Sequence, residues 1–275
     1  MLISILFCAC QGQVTTPNST TVVTSSSVPT TPEKVKEISL PSGFQRIPVD
    51  SNSVGAFYRN LSLKKDNKVY LYNGALKGNQ QAKYAVLDID VGNKDLQQCA
   101  DATMRLRAEY LFHHHQKDKI QFHFTSGDLA KWTSYSEGYR SKISGNNVTW
   151  VKTAQKDTSY ACFRKYMDLV FSYCGTRSMD KEVIAVLAKD IQIGDVFHET
   201  GNPYGHAVTV MDLAVDSSGN RIFMLSQSYM PAQNIHILKN PNSRDGNPWY
   251  TKTDGLALRT PEWTFPAGSL KRWKP

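Results

Sequence analysis

The stretch GDVFHETGNPYGHAVTVMDLAV, residues 194–215, decides how the chain is read. Its second half, from Gly205 to Val215, is a long apolar strand signal. The turn residues DSSGN at 216–220 follow, and then RIFMLSQSYM at 221–230, a second strand signal. Two apolar runs around a short polar Gly-containing turn predict a β-hairpin. One residue is out of place in it. His206 stands directly after a glycine at the mouth of a strand, where an apolar residue would bury more surface. An imidazole there is either a satisfied core residue or half of a catalytic pair, and the second reading requires a nucleophile elsewhere.

Outward from the hairpin, GDVFH (194–198) and NIHIL (234–238) read as further strands, as do KVYLY (68–72), YAVLDIDV (84–91), IQFHFT (120–125) and NVTWVKT (147–153). Helical spacing of Cys99, Ala102, Leu106 and Tyr110 predicts a helix over DLQQCADATMRLRAEYLFHHH (95–115), and a second runs through TSYACFRKYMDLVFSYCG (158–175). SVGAFYRNL (53–61) is a short helix, and the tail PEWTFPAGSLKRW (261–273) is aromatic and loop-like. Helices first and antiparallel strands afterwards predict an α+β domain, an antiparallel sheet packed on helices.

The 275 residues suit one domain with ornament, and the composition is that of an ordinary globular protein, 40% hydrophobic and 20% charged. A net charge of +8 favours anionic surroundings, but no run of basic residues marks a nucleic-acid site, and none is expected. The N-terminus divides in two. MLISILFCAC is apolar, too short to span a bilayer, and ends like a lipobox with Cys10 as the lipidated residue. The segment after it is rich in Ser, Thr and Pro and nearly free of charge, so it reads as a tether. The expected organisation is a truncated lipoprotein signal at 1–9, a lipid-anchored tether at 10–37 and a globular domain at 38–275, on the periplasmic or outer face of a cell envelope.

Three cysteines remain for the domain. Cys162 and Cys174 share one helix, where twelve residues rise roughly 18 Å, too far for a disulfide. Cys99 and Cys162 are both candidate nucleophiles, because each falls in the first turn of a helix, where the dipole stabilises a thiolate. With Asp95 as N-cap and Gln98 closing a capping box, Cys99 is the fourth helical residue. Thr158 as N-cap puts Cys162 at the same place. Chemistry favours Cys99, since Gln98 beside it offers a side-chain amide to an oxyanion.

Spacing favours Cys162. A cysteine opening a helix, a Gly-Asp turn 32 residues later and a histidine 44 residues later is similar to the NlpC/P60 and CHAP cell-wall hydrolases. That resemblance implies a papain-like core and a third residue on the strand after the histidine, for which Gln227 is the candidate. QQCADATMRLRAEYL, GHAVTVMDLAV, LSQSYMPAQNIHILKNP, NPWY and TPEWTF together resemble an uncharacterised family of bacterial lipoproteins. The family pattern holds the Gln-Cys-Ala-Asp and Gly-His-Ala-Val strings and does not require Cys162, which turns the choice to Cys99.

Two geometric expectations accompany these residues. A hairpin symmetric about SSGN sets Gln227 opposite Val210 and His206 opposite Pro231. At about 3.3 Å per residue they would share a face without touching, unless a bulge shifts the register. Asp101, Arg105 and Glu109 recur every four residues as a charge ladder of the solvated kind, worth a few tenths of a kcal/mol per pair. Beside a catalytic cysteine, Arg105 is a candidate to bind a substrate carboxylate. His113, His114 and His115 are consecutive, fan around a helix end and cannot converge on one metal, and no cofactor is expected. Two functions are consistent with all this. One is a lipid-anchored cysteine hydrolase acting on cell-wall peptides. The other is a non-catalytic envelope lipoprotein that binds or assembles, with Trp249, Trp263 and Trp273 lining a groove.

Overall fold

The computed structural model describes residues 2, 31–201, 204–251 and 256–275. Cys10, and with it most of the leader and tether, lies outside the described residues. In chain order the strands are β1 (Phe44–Arg46), β2 (Lys83–Val86), β3 (Gln121–His123), β4 (Leu129–Lys131), β5 (Tyr139–Ser144), β6 (Asn147–Lys152), β7 (Val183–Ala185) and β8 (Val196–Glu199). There follow β9 (His206–Asp216), β10 (Arg221–Gln227), β11 (His236–Leu238), β12 (Trp249–Thr251), β13 (Leu258–Arg259), β14 (Thr264–Phe265) and β15 (Leu270–Trp273). The α-helices are α1 (Val54–Arg59), α2 (Cys99–His113), α3 (Trp132–Ser136), α4 (Tyr160–Tyr173) and α5 (Thr176–Met179).

The expected hairpin is β9–β10, and it is the centre of an antiparallel sheet ordered β2-β11-β10-β9-β8-β15-β7, with β1 added to β9 and β12 to β10. Both strands are buried along nearly their whole length, which explains why they read as continuous apolar runs rather than alternating ones. The turn closes on Asp216, whose carboxylate accepts the backbone N–H groups of Ser218 and Asn220, while Gly219 takes φ +84°. The aromatic tail is less loop-like than its sequence suggests, because β15 enters the sheet between β8 and β7.

The helix α2 lies between two apolar clusters. Ala102 and Leu106 join the sheet's core, and Ala100, Met104, Ala108 and Leu111 join a second cluster with α3, α4, β3 and β4. A helix buried on more than one side has no free polar face. The charge ladder is therefore not solvated: Asp101, Arg105 and Glu109 are all buried. On the sheet, buried Asp212 accepts Nε of both Arg46 and Arg59 at 2.6 Å, tying β1 and α1 to β9. Packing begins at Val35, which is fully buried and stands three residues ahead of Ile38.

Candidate active site

Both cysteine-bearing helices start later than their cap signals indicate. The N-cap of α2 is Gln98, so Cys99 is the first helical residue, and the capping carboxylate is Asp101, which accepts Gln98 N–H at 3.0 Å. Asp95 is drawn away from the cap because its Oδ1 accepts Ala232 N–H at 2.7 Å, from the loop after β10. Ser159, not Thr158, caps α4, its Oγ accepting from Cys162 N–H at 3.2 Å.

The beginning of α2 is held against the end of the hairpin. Ser228, next after β10, shares its one hydroxyl proton between the carbonyls of Gln97 and Gln233, at 2.9 and 3.0 Å from Oγ. Together with the Asp95–Ala232 bond, this fixes the turn before Cys99 beside the mouth of β9. There Cys99 Sγ lies 3.8 Å from the carbonyl of Gly205 and donates to it. Gly205 must be glycine: a Cβ there would meet the Glu199 carbonyl at 2.1 Å and Thr176 Oγ1 at 2.8 Å. The close approach of β8, β9 and α5 accounts for the glycine before His206.

His206 and Gln227 touch, and the register explains how. Near the turn Arg221 faces Val215. Between Met224 and Leu225 the pairing slips by one residue, so that Ser226 faces Thr209. The bulge consumes Met211 on β9. A one-residue slip exchanges the two faces of a strand. Without it, Gln227 would face Thr209 and point away from His206. With it, the two side chains share a face and meet diagonally, with His206 Nε2 3.0 Å from Gln227 Oε1.

The orientation of that pair follows from its neighbours. Gln227 Nε2 lies 2.6 Å from Glu262 Oε2 and 3.5 Å from His236 Nε2. Lys77 Nζ donates to the same Glu262 oxygen at 2.8 Å. A carboxylate accepts only, so the amide NH2 of Gln227 must face it and Oε1 must face His206. His206 therefore carries its proton on Nε2, which leaves Nδ1 as the basic nitrogen. His236 resolves in the same way, with Nδ1–H donating to the Asn234 carbonyl at 2.9 Å and Nε2 accepting. The rings of Tyr229, Trp263 and Phe265 enclose the imidazole at centroid distances of 5.1, 5.2 and 5.7 Å. Burial lowers the pKa of His206 to about 4 and that of His236 to about 3, so both are neutral near pH 7.

A cleft of about 280 Å³ opens beside Cys99, lined by Gln98, Asp101, Cys174, Arg177 and Gly205 among others. Burial, with Asp101 adding to it, pushes the Cys99 thiol up to about 11. No hydrogen bond joins Sγ to the His206 ring among the described residues. The resting pair is thus a neutral thiol and a neutral imidazole. The side-chain amide of Gln98 lines the cleft, and one of its N–H groups is spent on Asp95 at 3.1 Å.

This chain belongs to the DUF4846 family. The family model, a domain of unknown function (4846), matches residues 35–272. No curated protein and no solved structure matches the chain. The resemblance to NlpC/P60 and CHAP enzymes is carried by spacing alone and has no counterpart in these comparisons.

Within the DUF4846 domain several candidates fall away from the site. Arg105 does not face the cleft; its guanidinium is buried and donates to Glu109 at 2.5 Å, Gln97 at 3.1 Å and Tyr160 at 3.0 Å. An arginine with all its partners inside the fold binds no substrate carboxylate. Cys162 is buried in the second cluster with Phe163, Tyr166 and Met167, and burial raises its thiol pKa. Trp249 belongs to the first cluster and Trp273 to the second, so with Trp263 at His206 the three line no common groove. Glu262, Lys77 and His236 join the site without a sequence signal of their own, although Glu262 lies inside the TPEWTF string.

Proposed function

We propose that the domain is a thiol hydrolase of papain-like arrangement that cleaves amide bonds in cell-wall peptides, held at the envelope through Cys10 and the tether after it. The observation that carries this reading is the chain Lys77–Glu262–Gln227–His206, which fixes the tautomer leaving Nδ1 basic. A histidine that only filled space would not need its tautomer set by three further residues. In the reaction, Cys99 Sγ attacks the amide carbonyl carbon while its proton passes to His206 Nδ1. The tetrahedral oxyanion is held by N–H groups at the start of α2, with Gln98 beside them. The carbonyl re-forms as the C–N bond breaks, and His206 returns the proton to the leaving amine. Water then attacks the thioester, again losing its proton to His206, which releases the acid and restores the thiol.

Because the resting pair is neutral, His206 acts as a general base for a thiol and not as partner to a preformed thiolate. The expected kcat/KM is flat from about pH 5 to 9, with an acid limb near His206's pKa of about 4. The test is release of new amines from peptidoglycan stem peptides. Wild type and Cys162→Ala should release them, and Cys99→Ala and His206→Ala should not. Release that survives Cys99→Ala would overturn the reading.

One observation favours a binding or assembly role instead: Cys99 is nine-tenths buried and bonded to a carbonyl, not to the imidazole. If no amine is released and Cys99 alkylates only on unfolding, that second reading stands.

A further inference from the structure

Arg105, bonded inside the fold, supplies no cation to the cleft beside Cys99. Arg177, on α5, lines the same cleft. Its side chain is exposed and makes no hydrogen bond or ion pair among the described residues, unlike Arg105 and Arg59, which are spent inside the fold. The wall that carries it is anchored. His198 on β8 is buried and neutral, and its Nε2 donates to the Thr176 carbonyl at 2.8 Å. Ser178 Oγ accepts Gly175 N–H at 3.1 Å, closing the turn on the other side of Arg177.

The acidic residues of the cleft do not occupy this cation. Asp95 gives its Oδ1 to Ala232 N–H and to the Gln98 amide. Asp101 is nine-tenths buried, and its Oδ1 has no hydrogen-bond partner. Burial raises that carboxyl's pKa, and its Oδ1 is closed off from solvent, so it neither pairs with Arg177 nor reaches a ligand in the cleft. Arg177 is therefore the one cationic side chain lining the cleft among the described residues, and it calls for a group rich in acceptor oxygens. A guanidinium meets such a group best as a planar carboxylate taken by two parallel N–H bonds.

We propose that Arg177 makes this cleft a subsite for a ligand carboxylate. Combined with the thiol-hydrolase reading, on which this further step rests, the peptide cleaved at Cys99 carries a free carboxylate close to the scissile amide.

The experiment compares binding of N-acetylalanine and of its neutral amide, N-acetylalaninamide, to the full chain by NMR titration. The acid should bind more tightly than the amide, and Arg177→Ala should weaken the acid about tenfold, the order of one charge-assisted contact, with little change for the amide. Arg177→Lys should recover part of the loss, since it keeps the charge and loses the fork. Equal binding of acid and amide by wild type, or an acid affinity indifferent to Arg177→Ala, would overturn the subsite. The two readings separate cleanly. Arg177-dependent acid binding without any amine release keeps the subsite and removes the hydrolase. Cys99-dependent release that is equally fast for peptide acids and peptide amides keeps the hydrolase and removes the subsite.

Discussion

Cys99 and Cys162 occupy equivalent places, each in the first turn of a long helix, yet their surroundings differ in kind. Around Cys162 on α4 the neighbours are Phe163, Tyr166, Met167 and the rings of α3, a packed apolar cluster. Around Cys99 on α2 there is a cleft on one side. On the other is the Gly205 carbonyl, one residue before the polar network that joins His206, Gln227, His236, Glu262 and Lys77. A helix N-terminus alone does not place a thiol beside a cleft. What the helix end is pinned against decides it, and here Ser228 and Asp95 do the pinning.

The sharpest way to break this contrast is substitution of the thiols themselves. Cys99→Ala should lower amide hydrolysis by about a thousandfold or more, the scale for losing a nucleophile. Cys162→Ala should leave kcat intact and cost roughly 1–2 kcal/mol of stability, as small core cavities do. Kinetics and urea denaturation on the same two variants check both. The reverse pattern would exchange the roles of the two helices.

Acid should act on one region and spare the other. His206 and His236 have folded pKa values of about 4 and 3, below the unfolded value of 6.5. Their contribution is complete above pH 6.5 and is lost as pH falls toward the folded values, because the unfolded chain takes up the protons first. Between pH 7.5 and 5 the expected loss is about 2 kcal/mol for each histidine. His198, lowered in the same direction, adds to it. Urea midpoints at the two pH values measure this, and His236→Asn should remove about half of the histidine pair's share. Asp101, whose carboxyl is raised by burial, gains stability as pH falls and opposes this loss, so the deciding readout is the difference between wild type and His236→Asn: an equal change of midpoint in both would mean that His236 is not buried neutral.

Gly205→Ala tests the close approach that aims His206. Its Cβ would fall 2.1 Å from the Glu199 carbonyl, so the strand mouth must move. A displacement of about 1 Å at a reacting group costs on the order of a hundredfold in kcat. A variant with wild-type kcat would show that the mouth of β9 is not the reacting geometry.

The smallest effect is expected from Glu262→Gln. It removes the carboxylate that compels the Gln227 amide to turn its oxygen to His206. About a tenfold loss in kcat with little change in KM is expected, because Glu262 acts on His206 only through Gln227, the low end of what losing an outer partner of a fixed histidine costs at metal sites. The 15N chemical shifts of His206 should also show a mixed tautomer. A purely structural Glu262 would leave those shifts alone.

Much of this could be read from the residues. The hairpin, both long helices and the α+β class follow from period and punctuation, since apolar spacing and turn chemistry are local properties. Cys99 and His206 were readable as residue types in family strings, while the contact of Cys99 with the Gly205 carbonyl, one residue before His206, was not. Arg105 was misread because an i, i+4 charge ladder looks the same whether its helix lies on a surface or between two cores. Glu262 and Lys77 were invisible because nothing in a sequence tells a surface ion pair from one that orients a buried amide.

The sequence by itself determined which strands and helices form and which thiols and imidazoles are available. The tertiary structure alone decided which of them meet. A single bulge at Met211 sets whether Gln227 faces His206 or its opposite side. A carbonyl 2.1 Å from an absent Cβ sets why Gly205 precedes it. Both are consequences of how distant segments pack, and a strand's period of two turns one residue of slip into a change of face.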